Sequence, residues 1–193
     1  MTIAFSPILG NGGFRPEEVA RGDQQRGALL ESLWSELLTT RAWCRTTDPL
    51  LAPVFSALGH DPVVRITQAH WGLILAALDE GLALLPDAPA TRSLIETTAR
   101  QVEAVLECLR SAAARHGASD LLDQLQSLAL RPALAARLGR DEEQWPRRWS
   151  ERSLSEQELA RARQRFRRSA AYRAHCTCFP LPPELSGQDA PRD

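Results

Sequence analysis

The chain has 193 residues, 44% of them apolar and 24% charged, with a formal net charge of −1. That balance excludes a disordered or fibrous protein and allows one domain with a substantial core. Even the most apolar stretch, Trp71 to Leu85, is interrupted by Asp79-Glu80, so no membrane contact is expected, and Met1 to Gly13 lacks the positive region and cleavage site of a secretory signal, so a cytoplasmic location is expected.

Residues 1–15, with Asn11-Gly12-Gly13, read as a flexible arm and turn. A helix is expected from Pro16, a tolerated first-turn residue followed by Glu17 and Glu18 at the positive end of the helix dipole. Gly22 is a candidate break. From Asp23 to about Cys44, Leu29, Leu30, Leu33, Leu37 and Leu38 with Trp34 recur at helical spacing and predict a core-facing stripe. Asp48-Pro49 predicts a cap and a first-turn proline for a short helix ending near Gly59, with Pro53 as an alternative start. Asp61-Pro62 opens a longer helix to about Leu85, ended by Pro86 and Pro89, whose central core face is read as Ile66, His70, Leu73, Ala77 and Leu84.

The next helix is expected from near Thr91 to His116-Gly117, with Leu94, Ile95, Val102, Val105, Leu106 and Leu109 on one side. Ser119 is read as the cap of a short helix to Leu130, where Arg131-Pro132 forces a kink or a new start. Ala133 to Leu138 makes about two turns, and Asp141 to Trp149 is a short segment interrupted by Pro146. Ser153 and Glu156 have capping-box spacing, and the last helix runs from there to about Ala174. No strand alternation of useful length and no repeat of roughly 20–50 residues is present. The chain is therefore expected to be an all-α, single-domain bundle of four to five principal helices. Its parts are the arm 1–15, a helical body 16–130, a basic helical segment 131–175 packing on that body, and an extended or disordered Pro-rich tail 176–193.

Charge is polarised along this plan. All 23 basic residues are arginine, which leaves no Schiff-base or phosphate-loop lysine. Residues 1–130 hold 10 arginines against 15 acids, and residues 131–175 hold 12 against 6. The C-terminal third should thus carry a positive field able to attract an acidic partner. Arg161, Arg165 and Arg168 form one stripe of the basic helix and Arg163 and Arg167 a second, while Leu159, Ala162, Phe166 and Ala170 make the face that packs inward. Trp145 and Trp149, flanked by Arg147, Arg148 and Arg152, have the composition of an interface hot spot.

Two other places have chemistry-bearing residues. His175, Cys176 and Cys178 are soft ligands within four residues and suit a transition metal such as zinc or copper(I). Their Cys-x-Cys spacing is atypical, and a tetrahedral site needs a fourth ligand from Cys44, Cys108 or His116. The alternative for His175 is a structural one, a cation at the negative end of its helix. All four cysteines are expected to be reduced. His70 lies in an apolar stripe beside Ala77 and Gly81 and is read either as a hydrogen-bonded core histidine or as a group projecting into a cavity. His60, at a helix-to-helix turn, is read as an end cap.

Catalytic signatures are missing: there is no Glu-x-x-His pair, no Gly-x-Gly-x-x-Gly, no Gly-x-Ser-x-Gly and no His-Glu-x-x-His. The reading that follows is a non-catalytic accessory or recognition subunit for a partner protein or peptide, as in a biosynthetic enzyme complex, with Arg161, Arg165, Arg168, Trp145 and Trp149 as the contact surface and no cofactor. The alternatives are a metal- or redox-dependent protein using His175, Cys176 and Cys178, and a helical nucleic-acid-binding regulator. Against the last, no helix-turn-helix pattern stands out and Glu156 and Glu158 dilute the basic run.

Overall fold

The computed structural model describes residues 16–85, 87–128 and 155–186. Among them the fold is all-α, with no strand. The helices are α1 (Pro16–Ala57), α2 (Pro62–Leu84), α3 (Ala88–Arg115), α4 (Ser119–Ser127), α5 (Glu156–Arg167), α6 (Ala170–Cys178) and α7 (Pro183–Ser186). The expected arm 1–15, the turns 133–138, and Trp145 and Trp149 fall outside the described residues.

Three long helices, α1 to α3, pack on one another and make the body. Leu30, Leu33, Trp34 and Leu37 of α1 are fully buried, the stripe that the leucine spacing predicts. They meet Ile74, Leu78 and Leu82 of α2 and Ile95, Val102, Leu106 and Leu109 of α3 in one continuous core. Where α2 meets α3, the end of the Leu94 side chain fills the space that a Cβ on Gly81 would take, so the bare backbone there gives that leucine its packing site.

Several boundaries differ from the sequence reading. α1 runs unbroken through Gly22, Pro49 and Pro53. Each internal proline removes one helical hydrogen bond, at about 3 kcal/mol or more. Against that, Leu51, Val54, Phe55 and Leu58, at helical spacing, are all buried, each worth roughly 1.5–3 kcal/mol. Asp48 does not cap a new helix but accepts the Trp71 indole N–H at 2.7 Å. α3 starts earlier than Thr91, because Asp87 caps it by accepting from the Ala90 N–H at 3.0 Å, and Pro89 falls in its first turn. Ser119 is the first residue of α4 and makes no cap.

Asp61 does cap α2 as the Asp-Pro signature predicts, accepting from the Val63 N–H at 2.8 Å. At the other end Leu85 takes a left-handed conformation, φ 45°, and is fully buried. A left-handed non-glycine residue costs about 1–2 kcal/mol, which burial of a leucine side chain offsets.

The face of α2 read as core is the wrong one. Ile66, Leu73 and Leu84 are 72%, 67% and 56% exposed, and His70 and Ala77 are half-buried beside them. The buried face is Val64, Trp71, Ile74, Leu75, Leu78 and Leu82. Because α2 is apolar nearly all round, its period allows either face inward. The choice is made by the bulk of Trp71 and by Asp79, which must reach its cationic partners inside.

The basic C-terminal segment packs on α1 as two helices rather than one. A capping box closes the start of α5, as expected, but its residues are Ser155 and Glu158 rather than Ser153 and Glu156. Ser169 then caps α6, and this break turns Ala170 outward, whereas Ala162 and Phe166 are buried as predicted. Phe166 lies on Trp34 with ring centroids 4.8 Å apart, and Tyr172 follows on Phe166 at 5.2 Å. Cys176 and Cys178 complete α6 rather than beginning an extended tail.

Candidate functional site

Among the described residues Arg41, 1% exposed in the middle of α1, joins several elements through one polar group. Its Nε donates to Asp79 Oδ1 on α2, and Arg45, one turn along α1, holds the other carboxylate oxygen. Arg41 Nη1 reaches His175 Nε2 on α6 at 2.8 Å and the Phe179 carbonyl at 2.8 Å, and Nη2 donates to the Pro180 carbonyl at 3.4 Å. One guanidinium therefore ties α1, α2 and the segment after α6 together. The five N–H donors of arginine, fixed in a plane, make this possible where a lysine could not.

The electrostatics of the hub follow from this geometry. Burial, reinforced by the Arg41 cation and opposed by Asp79, pushes the His175 imidazole down to about 4. His175 is thus neutral at pH 7 and accepts from Arg41 through its Nε2 lone pair. Its ring also lies 5.3 Å from that of Phe179. Beside it, burial and a hydrogen bond with the Cys176 thiol push Tyr172 up to about 12. Burial likewise pushes the Cys44 thiol in the core up to about 12.

His175, Cys176 and Cys178 are not brought to a common point. All four cysteines are free thiols. Cys176 pairs with Tyr172, Cys178 is exposed, and the His175 lone pair is directed at a cation. Among the described residues no three His, Cys, Asp or Glu side chains are grouped as metal ligands. A metal at His175 Nε2 would have to displace Arg41 and sit beside its charge.

A second polar cluster closes the far end of the body. Asp61 Oδ2 accepts from Arg115 Nη2 at 2.9 Å and lies 3.1 Å from His116 Nε2. These contacts, with the Val63 N–H, hold the Asp61 carboxyl well below the usual carboxylate range. His60 rests edge-on against His116, ring centroids 4.6 Å apart. It contributes a ring contact at the turn rather than a helix cap. His70, the remaining histidine, is on the outward stripe of α2, half-buried.

The arginines of α5 divide by stripe. Arg163 Nε donates to the Leu85 carbonyl at 2.8 Å and Arg167 Nη2 to the Ala83 carbonyl at 3.2 Å. Both therefore cover the C-terminal end of α2, where carbonyls carry partial negative charge. Arg161, Arg165 and Arg168 are exposed instead. Arg161 and Arg165 border an open groove of about 480 Å³ between α1 and α5, with Gln24 and Gly27 on one wall and Glu158, Ala162 and Gln164 on the other. A Cβ on Gly27 would lie 3.0 Å from Arg165 Nη2, so the bare backbone at Gly27 lets the guanidinium lie across α1. Its ion pair with Glu31, at 3.7 Å between two exposed side chains, is of the kind that contributes little.

Sequence reasoning missed the hub. The available signal was Asp79 itself, a carboxylate within an apolar run, which requires a cation wherever it is buried. No family model, no curated protein and no solved structure matches this chain. No helix among the described residues is long and apolar enough to cross a membrane.

Proposed function

We propose that this chain is a non-catalytic, cytoplasmic recognition subunit that binds an acidic segment of a partner protein along the groove between α1 and α5. The single observation that carries this reading is the division of the α5 arginines. Arg163 and Arg167 are engaged by α2 carbonyls, whereas Arg161, Arg165 and Arg168 face solvent, two of them at a groove. Guanidinium forks suit carboxylates in bidentate geometry, and an acidic extended segment entering the groove would displace the weak Glu31 contact at little expense. Trp145 and Trp149, outside the described residues, are the apolar anchors of the proposal. The buried hub has its donors engaged within the chain, with Arg41 and Arg45 sharing the Asp79 carboxylate, and serves as scaffold for this surface.

The test is titration of a labelled glutamate-rich peptide, followed by anisotropy at low and at physiological salt. Charge reversal of Arg161, Arg165 and Arg168 together should weaken binding by about tenfold or more, since three partly exposed pairs lose about 1.4 kcal/mol or more in sum. Unchanged peptide affinity in the triple variant overturns the proposal. Tighter, steeply salt-dependent retention on duplex DNA would replace it with the nucleic-acid reading.

A further inference from the structure

α2 has a second apolar face, and it is a heptad seam. Positions 63, 66, 70, 73, 77, 80 and 84 alternate three and four apart, the spacing that keeps one stripe against a partner helix. Val63, Ile66, Leu73 and Leu84 on it are 46%, 72%, 67% and 56% exposed. One flank of the seam is Ala69 and Ala76, both exposed, followed seven residues on by the half-buried Ala83, and among the described residues nothing lies within 4 Å of where a Cβ on Gly72 would stand. Small residues at such a border allow a second helix to approach closely. A contiguous outward apolar stripe of this regularity marks an interaction surface.

The seam also indicates what covers it, because it is complementary to itself when inverted. With a two-fold axis at the level of Leu75, Ile66 of one copy meets Leu84 of the other, and the bulky Leu73 meets the small Ala77. In the same register the two polar seam residues, His70 and Glu80, face each other, once on each side of the axis. Each layer then joins an a position to a d position, as antiparallel pairing requires. A parallel in-register pair would instead set Glu80 on Glu80 and His70 on His70, placing like polar groups opposite each other. We infer that α2 is a homodimerisation helix, pairing antiparallel with α2 of a second copy of this chain through this seam. This inference stands apart from the groove on α5.

Sedimentation equilibrium of the full chain tests it. The expected result is a dimer of the 21.4 kDa protomer, with Leu73→Glu and Ile66→Glu each weakening association by about 100-fold. Both residues are exposed in the protomer, so helical content should be retained, and circular dichroism checks this. Register is read by cross-linking with Cys108, Cys176 and Cys178 replaced by serine. Leu73→Cys protein mixed with Ala77→Cys protein should form an interchain disulfide, whereas Leu73→Cys alone should not. The double exchange His70→Glu with Glu80→His should restore the association that Glu80→His alone weakens. A chain that stays monomeric at about 100 μM, a concentration that would populate even weak dimers, overturns the inference, as does a dimer indifferent to Leu73→Glu. Self-cross-linking of Leu73→Cys overturns the antiparallel register.

Discussion

Arg41 and Arg165 are the same residue type on neighbouring helices, and the structure uses them in opposite ways. Arg41 is 1% exposed and is matched by one carboxylate, one imidazole and two carbonyls. Arg165 is on the rim of a groove with a single distant carboxylate. A buried cation must be satisfied by its own chain, since the interior offers no water to replace a lost partner. An exposed one is satisfied by solvent and so remains available to something that arrives later. The basic side chains, all of them arginine, thus divide into those engaged by groups of their own chain, such as Arg41, and those left largely to solvent, such as Arg165.

Removing Asp79 should give the largest effect. Asp79→Ala leaves Arg41 buried opposite no anion, and loss of one partner from a buried pair typically destabilises by about 3–5 kcal/mol. Chemical denaturation measures this. Replacing Arg41 and Asp79 together by methionine and leucine should restore much of the loss, and a double variant as unstable as Asp79→Ala would show that the hub contributes more than charge matching.

A smaller effect is expected within α5, where both populations share one helix. Arg163→Ala removes a charged donor from the end of α2, which should destabilise by about 1–2 kcal/mol. Arg165→Ala should change stability by no more than about 0.5 kcal/mol. Thermal unfolding of the two variants side by side measures the difference, and equal losses would dissolve the distinction between the stripes.

How much of this was legible before the structure depends on the range of the interactions involved. The all-α class, the Asp61 cap, the α1 leucine stripe and the inward face of α5 at Ala162 and Phe166 follow from local chemistry and period, and each is present. The capping box was legible in kind, but serines at 153 and 155 are each followed three residues later by glutamate, and spacing alone cannot choose between them. The face of α2 was ambiguous for a similar reason, with two apolar stripes on one helix. The hub was not legible because Arg41 and His175 are 134 positions apart, and no local pattern joins them. In both misread cases a polar residue inside an apolar run, Asp79 or His70, held the information. Asp79 turned inward because Arg41 and Arg45 await it, and His70 turned outward, where Glu80 shares its stripe.

The smallest of these effects is a pH dependence that tests whether the hub tolerates added charge. With its imidazole held at about 4 against 6.5 unperturbed, His175 remains neutral in the folded chain while it protonates in the unfolded one. The unfolded state therefore binds more protons between these values, and stability should fall as pH decreases from about 6.5 to about 4, with no contribution above that window. His175 is half-buried, so solvent screening reduces the slope below that of a full proton. Asp61 acts in a separate, lower window: its depressed carboxyl adds stability that is fully present above the ordinary carboxylate pKa near 4 and is lost as pH falls below it. His175→Gln keeps an acceptor for Arg41 but cannot protonate, so unfolding free energies measured from pH 7.5 to 4.5 should lose their slope in this variant. If the slope persists, the acid sensitivity arises outside the hub, and Arg41 holds His175 by packing rather than by excluding a second positive charge.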